Sequence, residues 1–366
     1  MLYRRILRKL HGGVVTPYPV GKKRALLSYT TFPFICTESE LTGHSNRWEA
    51  RCIARLLNEQ GFAVDVVDFE DNSFIPRHNY SLCIDNGHQL ERLSKYLPSD
   101  CTTVFHATTS HWLFQNQAEY TRLLALARRK GFILAPRRTL PFSKNAELAE
   151  HITLTGNETT AETYAHVKKK ITRIPVSTTH EFDVFERDYL AARKNFVWIG
   201  GSGSVHKGLD LVIEAFTGRD GSHLDIFGKI DPDFFEAYRD ILTSQKTITY
   251  HGFVDPGSEE FKTAVSNSAS IIFPSCSEST STAVVTAMHA GLIPLVSREA
   301  GIEVSDFGIE LANATVEIIK QAVETIEQTP PEKLKSKSLR ARDYVRNHHS
   351  RENFEKAYRD FLLSIL

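Results

Sequence analysis

The sequence predicts an α/β protein with two Rossmann-like domains facing a central cleft. Three observations carry that expectation. The chain has 366 residues, and at roughly 100–200 residues per domain that length accommodates two. In both halves short apolar strands alternate with amphipathic helices, the pattern of a parallel, doubly wound sheet. Between the halves, residues 179–194 (THEFDVFERDYLAARK) interrupt the alternation, which then restarts cleanly.

The first domain is expected over 22–178. RALLSY reads as its first strand, followed by a polar loop and the helix RWEARCIARLLNEQ, whose Ala50, Ile53, Leu56 and Leu57 share one face. Gly61 ends that helix. FAVDVVDF, SLCI, TTVFHA, HITLT and ITRIP are further strands, and QAEYTRLLALARRK is a helix closed by Gly131. The second domain is expected over 195–347. NFVWI, LDIF, TITYHGF, ASIIFPS and LIPLVS are its strands, and HKGLDLVIEAF and TAVVTAMHA are helices. Two helical stretches close the chain, the last over 348–366.

Residues 1–21 form a basic N-terminal segment. Residues 1–10 set Leu2, Tyr3, Ile6, Leu7 and Leu10 against Arg4, Arg5, Arg8 and Lys9 at helical spacing. Such a segment suits an anionic membrane surface; the alternative is a solvated tail. Over the whole chain the charges balance, with 44 Lys+Arg against 44 Asp+Glu, which argues against nucleic acid as a partner. Five scattered cysteines include no C-x-x-C pair, as expected in a reducing compartment. No apolar run approaches the ~20 residues of a membrane span. The expected location is the cytoplasm, with the inner membrane face as a peripheral site.

Open parallel sheets bind ligands beyond the C-terminal ends of their strands. Two turns of the second half suit an anionic, hydroxyl-rich ligand. In the first, Gly200, Gly201, Ser202, Gly203 and Ser204 precede Lys207 and a helix. Backbone amides, a helix start and a lysine favour phosphate or diphosphate; a tight turn with a solvated lysine is the plain alternative. The Gly-Lys-Ser/Thr of a P-loop and the spacing of G-x-G-x-x-G are both missing. In the second turn Ser275, Ser277, Glu278, Ser279, Thr280, Ser281 and Thr282 lead into a helix. These hydroxyls exceed what one helix cap needs, and Glu278 can accept hydrogen bonds from sugar hydroxyls.

HKGLDLVIEAF and the stretch from Pro274 to Ser297 resemble the two signatures of glycosyltransferase family 4, retaining enzymes of the GT-B fold. The resemblance is strong over about 195–300 and pattern-level over 22–180. It implies that Lys207 binds the donor diphosphate, that Glu278 contacts the donor sugar, and that Ser279, Thr280, Ser281 and Thr282 offer amides to sugar and phosphate. His251, Gly252 and Phe253 fall where the family approaches the base. Two positions depart from the pattern. The second family glutamate, which holds the ribose, is Thr286 here. The arginine often found six residues before the lysine is Gly201. Threonine cannot make a bidentate, charged bond, so the nucleotide is held differently, held more weakly, or compensated elsewhere, with the amides of Gly201 to Ser204 as one candidate.

By the same resemblance the first half binds the acceptor, through the loop carrying Gly43, His44 and Asn46. His106, at the end of a strand, is expected near the donor sugar; a structural histidine is its alternative. His111 and Trp112 are candidates for a sugar-stacking surface. Asp231 and Asp233 form a D-x-D triplet that reads better as a helix-start cap than as a metal site, so no metal and no cofactor are expected. The implied reaction moves a sugar, with retention, from a nucleoside diphosphate sugar to a hydroxyl of a glycan or lipid-linked glycan. Rival readings are a non-catalytic sugar or nucleotide-sugar binding protein, a GT-B relative such as an epimerase or phosphorylase, and a membrane-surface scaffold.

Overall fold

A computed structural model describes residues 13–366. The basic, membrane-suited segment 1–10 lies outside the described residues. Helices of eight or more residues are numbered here.

The first sheet has seven strands: β1 (Val14–Tyr18), β2 (Lys23–Tyr29), β3 (Phe62–Asp68), β4 (Leu82–Asp85), β5 (Thr102–Ala107), β6 (His151–Leu154) and β7 (Ile171–Arg173), in spatial order β1-β3-β2-β4-β5-β6-β7. Helices α1 (Ser45–Glu59) and α2 (Trp112–Lys130) connect them. All pairings are parallel except β1 with β3. The expected start of the fold near Lys22 is therefore too late. Val14 and Val15 pair antiparallel with Val67 and Val66 at the sheet edge. The apolar face read for α1 is buried, with Ala50, Ile53, Leu56 and Leu57 at 0% exposure. Gly131 ends α2 in the left-handed conformation, at φ 76°.

The second sheet is wholly parallel, in spatial order β10-β9-β8-β11-β12-β13. Its strands are β8 (Asn195–Ile199), β9 (His223–Phe227), β10 (Ile248–Gly252), β11 (Ser270–Phe273), β12 (Ile293–Val296) and β13 (Ile309–Glu310). The associated helices are α3 (Leu209–Phe216), α4 (Pro232–Ser244), α5 (Glu259–Ser266), α6 (Thr282–His289), α7 (Val316–Gln328) and α8 (Pro331–His348). Strands β11 and β12 are buried throughout, as befits a sheet covered on both faces.

Helix α9 (Arg351–Ile365) returns to the first domain. Phe354, Tyr358, Phe361 and Leu362 enter its core beside Leu56, Leu57 and Val64. Arg359 pairs with Glu59 at 2.6 Å and Arg55 with Glu355 at 2.6 Å across the α1–α9 seam. No helix of the described residues is long and apolar enough to cross a membrane.

Because Phe354 is wholly buried in that seam, Phe354→Ala should lower stability by about 3–5 kcal/mol. Chemical denaturation checks this; a loss under about 1 kcal/mol would place the helix outside the cooperative core.

Candidate active site

The C-terminal ends of both sheets open onto one cleft of about 810 Å³, a size that suits a ligand larger than a monosaccharide. From the first domain the walls include Gly43, His44, Asn46, Glu49, His111 and Arg138. From the second they include Gly201, Ser202, Lys207, Phe253 and the run Glu278 to Ala283.

The floor is an ion pair. Lys207 Nζ bonds Glu278 Oε1, and each side chain is only 12% exposed. Ser275 Oγ donates to the same carboxylate at 3.2 Å. Burial works against the charge on Glu278, but Lys207, Arg138 and His206 together hold its pKa down to about 2. It is therefore a fixed anion at neutral pH. Burial, partly offset by Glu278, pulls the lysine below its ordinary value. The two turns meet because Gly208 takes φ 71° and a Cβ there would lie 2.6 Å from the Pro274 carbonyl oxygen. Only glycine lets the lysine-bearing turn approach the glutamate-bearing one so closely.

Several expected residues behave differently. The amides of Gly203 and Ser204 do not face a ligand. They donate to Asp231 Oδ2 at 2.9 and 2.8 Å, and Ser204 Oγ adds a third bond at 3.0 Å. Ser202 Oγ holds Asp231 Oδ1 at 2.7 Å. The protein's own carboxylate thus fills the anion-binding concavity of the glycine-rich turn. Asp231 stands at the N-cap of α4 but makes no side-chain cap bond, so the expected capping role is replaced by this one. Asp233 pairs with Arg137 at 2.7 Å.

His106 is not in the cleft wall. It has 0% exposure, and its ring packs edge-on to Tyr358 of α9, 5.4 Å between centroids. Its Nδ1 pairs with Thr153 Oγ1 at 2.8 Å, and burial pushes its pKa down to about 3. Its neighbour Phe105 lines the cleft instead, because successive strand residues point to opposite faces. Thr286 is also absent from the wall: its hydroxyl donates back to Thr282 O at 2.9 Å within α6. His251 stacks on Phe227, 4.3 Å between centroids, and bonds Asp225 at 2.7 Å, outside the cleft. Phe253, by contrast, lines the cleft and is 74% exposed.

The serine-rich turn is stapled to the first domain. Ser110 Oγ donates to Glu278 O at 3.1 Å, and Thr160 Oγ1 to Ser279 O at 3.0 Å. Ser279, Thr280, Ser281 and Thr282 all line the cleft, and the start of α6 carries no side-chain cap bond, although the Ser281 amide donates to Ala300 O at 3.0 Å and the Glu278 amide to Glu299 O at 2.9 Å. His44 caps α1 through Nδ1, accepting from Asn46 N at 3.2 Å.

Two features were missed in the sequence. Glu49, buried in α1, accepts from Ser177 N and Oγ, both at 2.9 Å. Burial raises its pKa to about 7. The larger omission is a network around Glu119 of α2. Its Oε2 receives a bond from His206 Nδ1 at 2.6 Å, and His206 Nε2 donates to Ser277 O at 2.5 Å. Its Oε1 receives the amides of Arg137 at 2.8 Å and Arg138 at 3.3 Å. Neither role has a local sequence signal, because each depends on contacts between residues far apart in the chain. Among the described residues, His111, Glu147 and His166 bring potential metal-ligand atoms within 4.8 Å of one another. Glu147 and His166 there already satisfy each other at 3.0 Å.

Two facing parallel-sheet domains, with the Lys207–Glu278 pair of the second lying in the cleft between them, define the GT-B fold. Residues 193–328 match the family model described as "Glycosyl transferases group 1", the part of the chain that carries both residues. No curated protein matches in sequence. Among solved structures, sucrose-phosphate synthase from Thermosynechococcus elongatus is 15% identical, covering 93% of this chain and 99% of its own, at TM-score 0.63. WaaG, a glycosyltransferase involved in lipopolysaccharide biosynthesis, is 15% identical over 91% of this chain and 98% of its own, at TM-score 0.59. HepE from Anabaena, solved with UDP-glucose, is 12% identical over 94% of this chain and all of its own, at TM-score 0.59. At these identities the likeness establishes the fold.

The His206–Glu119 pair predicts a pH dependence. Burial opposes the charge on His206, but Cys276 and Glu119 more than offset it and raise its pKa to about 9, from an ordinary 6.5. The group gains its proton more readily when folded, so its stabilisation is fully present below about pH 6.5 and lost as pH rises through about 9. The difference in denaturation midpoint between wild type and His206→Gln should therefore shrink from pH 6.5 to 9.5, a window set by those two values.

Proposed function

We propose that this chain is a retaining glycosyltransferase that moves a sugar from a nucleoside diphosphate sugar to a hydroxyl acceptor. The observation that carries the reading is the Lys207–Glu278 pair at the floor of a cleft formed by the C-terminal ends of both sheets. Negative charge grows on the diphosphate as the anomeric bond breaks. Lys207 and the amides at the start of α6 lie where such charge is stabilised best, in a partly water-excluded site. Glu278, held ionised, accepts hydrogen bonds from donor-sugar hydroxyls and fixes the ring. The departing phosphate oxygen takes the acceptor proton, so the reaction needs no strong protein base. Side-chain cations supply the charge compensation, and we propose that the reaction uses neither metal nor cofactor.

The acceptor enters past Gly43, His44 and Asn46, on the opposite wall. We propose a glycan or lipid-linked glycan of a cell-surface polysaccharide as the acceptor. The role of WaaG in lipopolysaccharide biosynthesis supports this, and so does the basic segment 1–10, which would hold the enzyme at the inner face of the membrane from the cytoplasm. The crystal forms of HepE with UDP and glucose and with UDP-glucose support a nucleotide-sugar donor.

A second reading is a binding protein without turnover. One observation favours it: Thr286, which stands where the family keeps a ribose-binding glutamate, turns its hydroxyl into its own helix.

Incubation with a panel of sugar nucleotides, scored by nucleoside diphosphate release, tests both. Release should occur with at least one donor, and Lys207→Ala should cut its rate by about 10²–10³-fold. Tight donor binding with no release across glycan and lipid-linked acceptors would overturn the transferase in favour of the binding protein.

A further inference from the structure

The turn before Lys207 carries Gly201 where a second diphosphate cation is expected, and the space is empty. A Cβ at Gly201 would meet nothing within 4 Å. The amides of Gly203 and Ser204 are occupied by Asp231. Lys207 is itself paired with Glu278. The glycine-rich turn and Lys207 therefore offer a diphosphate less positive charge than its two negative phosphoryl groups call for.

The first domain supplies a cation at this place. After α2 an irregular segment, residues 131–144, runs across to the second domain. Within it Arg138 lies over the glycine-rich turn: a Cβ on Gly203 would come 2.5 Å from Arg138 Cγ and 3.0 Å from Cδ. Gly203, at φ 92°, is thus glycine both for its conformation and to seat this arginine. The side chain lines the cleft, and its buried Nε has no hydrogen-bond partner. Its backbone is fixed on both sides, by Glu119 Oε1 on the amide at 3.3 Å and by Gln115 Nε2 on the carbonyl at 2.5 Å. The same Glu119 grips His206, the residue before Lys207, at 2.6 Å. One carboxylate therefore sets the spacing between the arginine and the lysine. Arg138 is near enough to lower the pKa values of both Lys207 and Glu278.

We propose that Arg138, delivered across the cleft from the first domain, is the second cation of the donor diphosphate site and replaces the arginine missing at Gly201. This rests on the transferase reading and names a residue for the same site. A guanidinium suits the role because its planar fork can bond two phosphate oxygens at once. Placing it on the opposite domain also makes diphosphate binding depend on both halves of the cleft being in register.

The test is calorimetric titration of the full chain with UDP, GDP and ADP, and with the matching nucleosides. The tightest-binding diphosphate is then carried into Arg138→Ala, Arg138→Lys, Lys207→Ala and the double variant Arg138→Ala with Gly201→Arg. Circular dichroism confirms that each is folded. Arg138→Ala should weaken the diphosphate about tenfold or more while leaving the nucleoside unchanged, the loss of a charge-assisted, bidentate contact. Arg138→Lys should fall between, and Gly201→Arg should recover most of the loss, since its side chain enters open space beside the same phosphates. In turnover assays the KM for donor should rise and the KM for acceptor should not. An unchanged diphosphate affinity in Arg138→Ala, beside a lost one in Lys207→Ala, would overturn this inference alone. An equal loss for nucleoside and diphosphate, or a rise confined to the acceptor KM, would also overturn it. If the wild-type chain binds no nucleoside diphosphate, the transferase reading falls first.

Discussion

The carboxylate of Glu119 is the contact on which the cleft depends. One oxygen receives a buried imidazole from the second domain, and the other receives two consecutive amides of the crossing segment. Glu119 is 2% exposed and His206 1%. A buried pair of charges contributes little net stability unless its remaining bonding capacity is met. Here it is met, because the Ser277 carbonyl oxygen accepts from the second imidazole N–H and the two amides satisfy the second carboxylate oxygen. The result is geometric. The turn bearing Lys207, the turn bearing Ser277 and Glu278, and the segment bearing Arg138 share one reference point. Around it, Arg122 bonds Pro274 O at 3.0 Å and Arg129 pairs with Asp210 at 2.5 Å, so α2 of the first domain is sewn along the second.

The local architecture was legible in the sequence wherever apolar spacing governs it. The buried face of α1, the exact strand Asn195–Ile199 and the stop at Gly131 follow from periodicity and from glycine's access to positive φ. Strand β1 escaped notice because it is short, carries Pro17 and lies at a sheet edge next to a run of basic residues. Helix α7 is a plain amphipathic surface helix and went unremarked, although Ile319, Ala322, Val323 and Ile326 all face the core.

The candidate site divides in the same way. That Lys207 and Glu278 lie in the cleft was readable, because each sits in a turn between a strand of the second sheet and the next helix. His106 was misplaced by one step of strand alternation, which turned a presumed cleft residue into a packing partner of Tyr358. Thr286 could not be judged from its residue type, since only the helix geometry shows its hydroxyl spent on Thr282 O. Asp231 was readable as a polar residue before a helix, but not as the filler of a turn 27 residues away. Arg138 had no signal at all. Its position comes from Glu119, 19 residues earlier, and from a glycine in the other domain.

The packing of α9 bears on how the molecule is made. Its residues 351–365 complete the core around α1 and β3, yet they are synthesised only after every strand of the second sheet has left the ribosome. Domains ordinarily fold as units in the order of their synthesis. Here the first-made sheet must wait, with the groove for Phe354 and Tyr358 open to water, while about 170 intervening residues are added at a rate of roughly 5–20 per second. For that interval of roughly 10–30 seconds the nascent groove lacks the helix that covers it, and the earlier-made half is finished last.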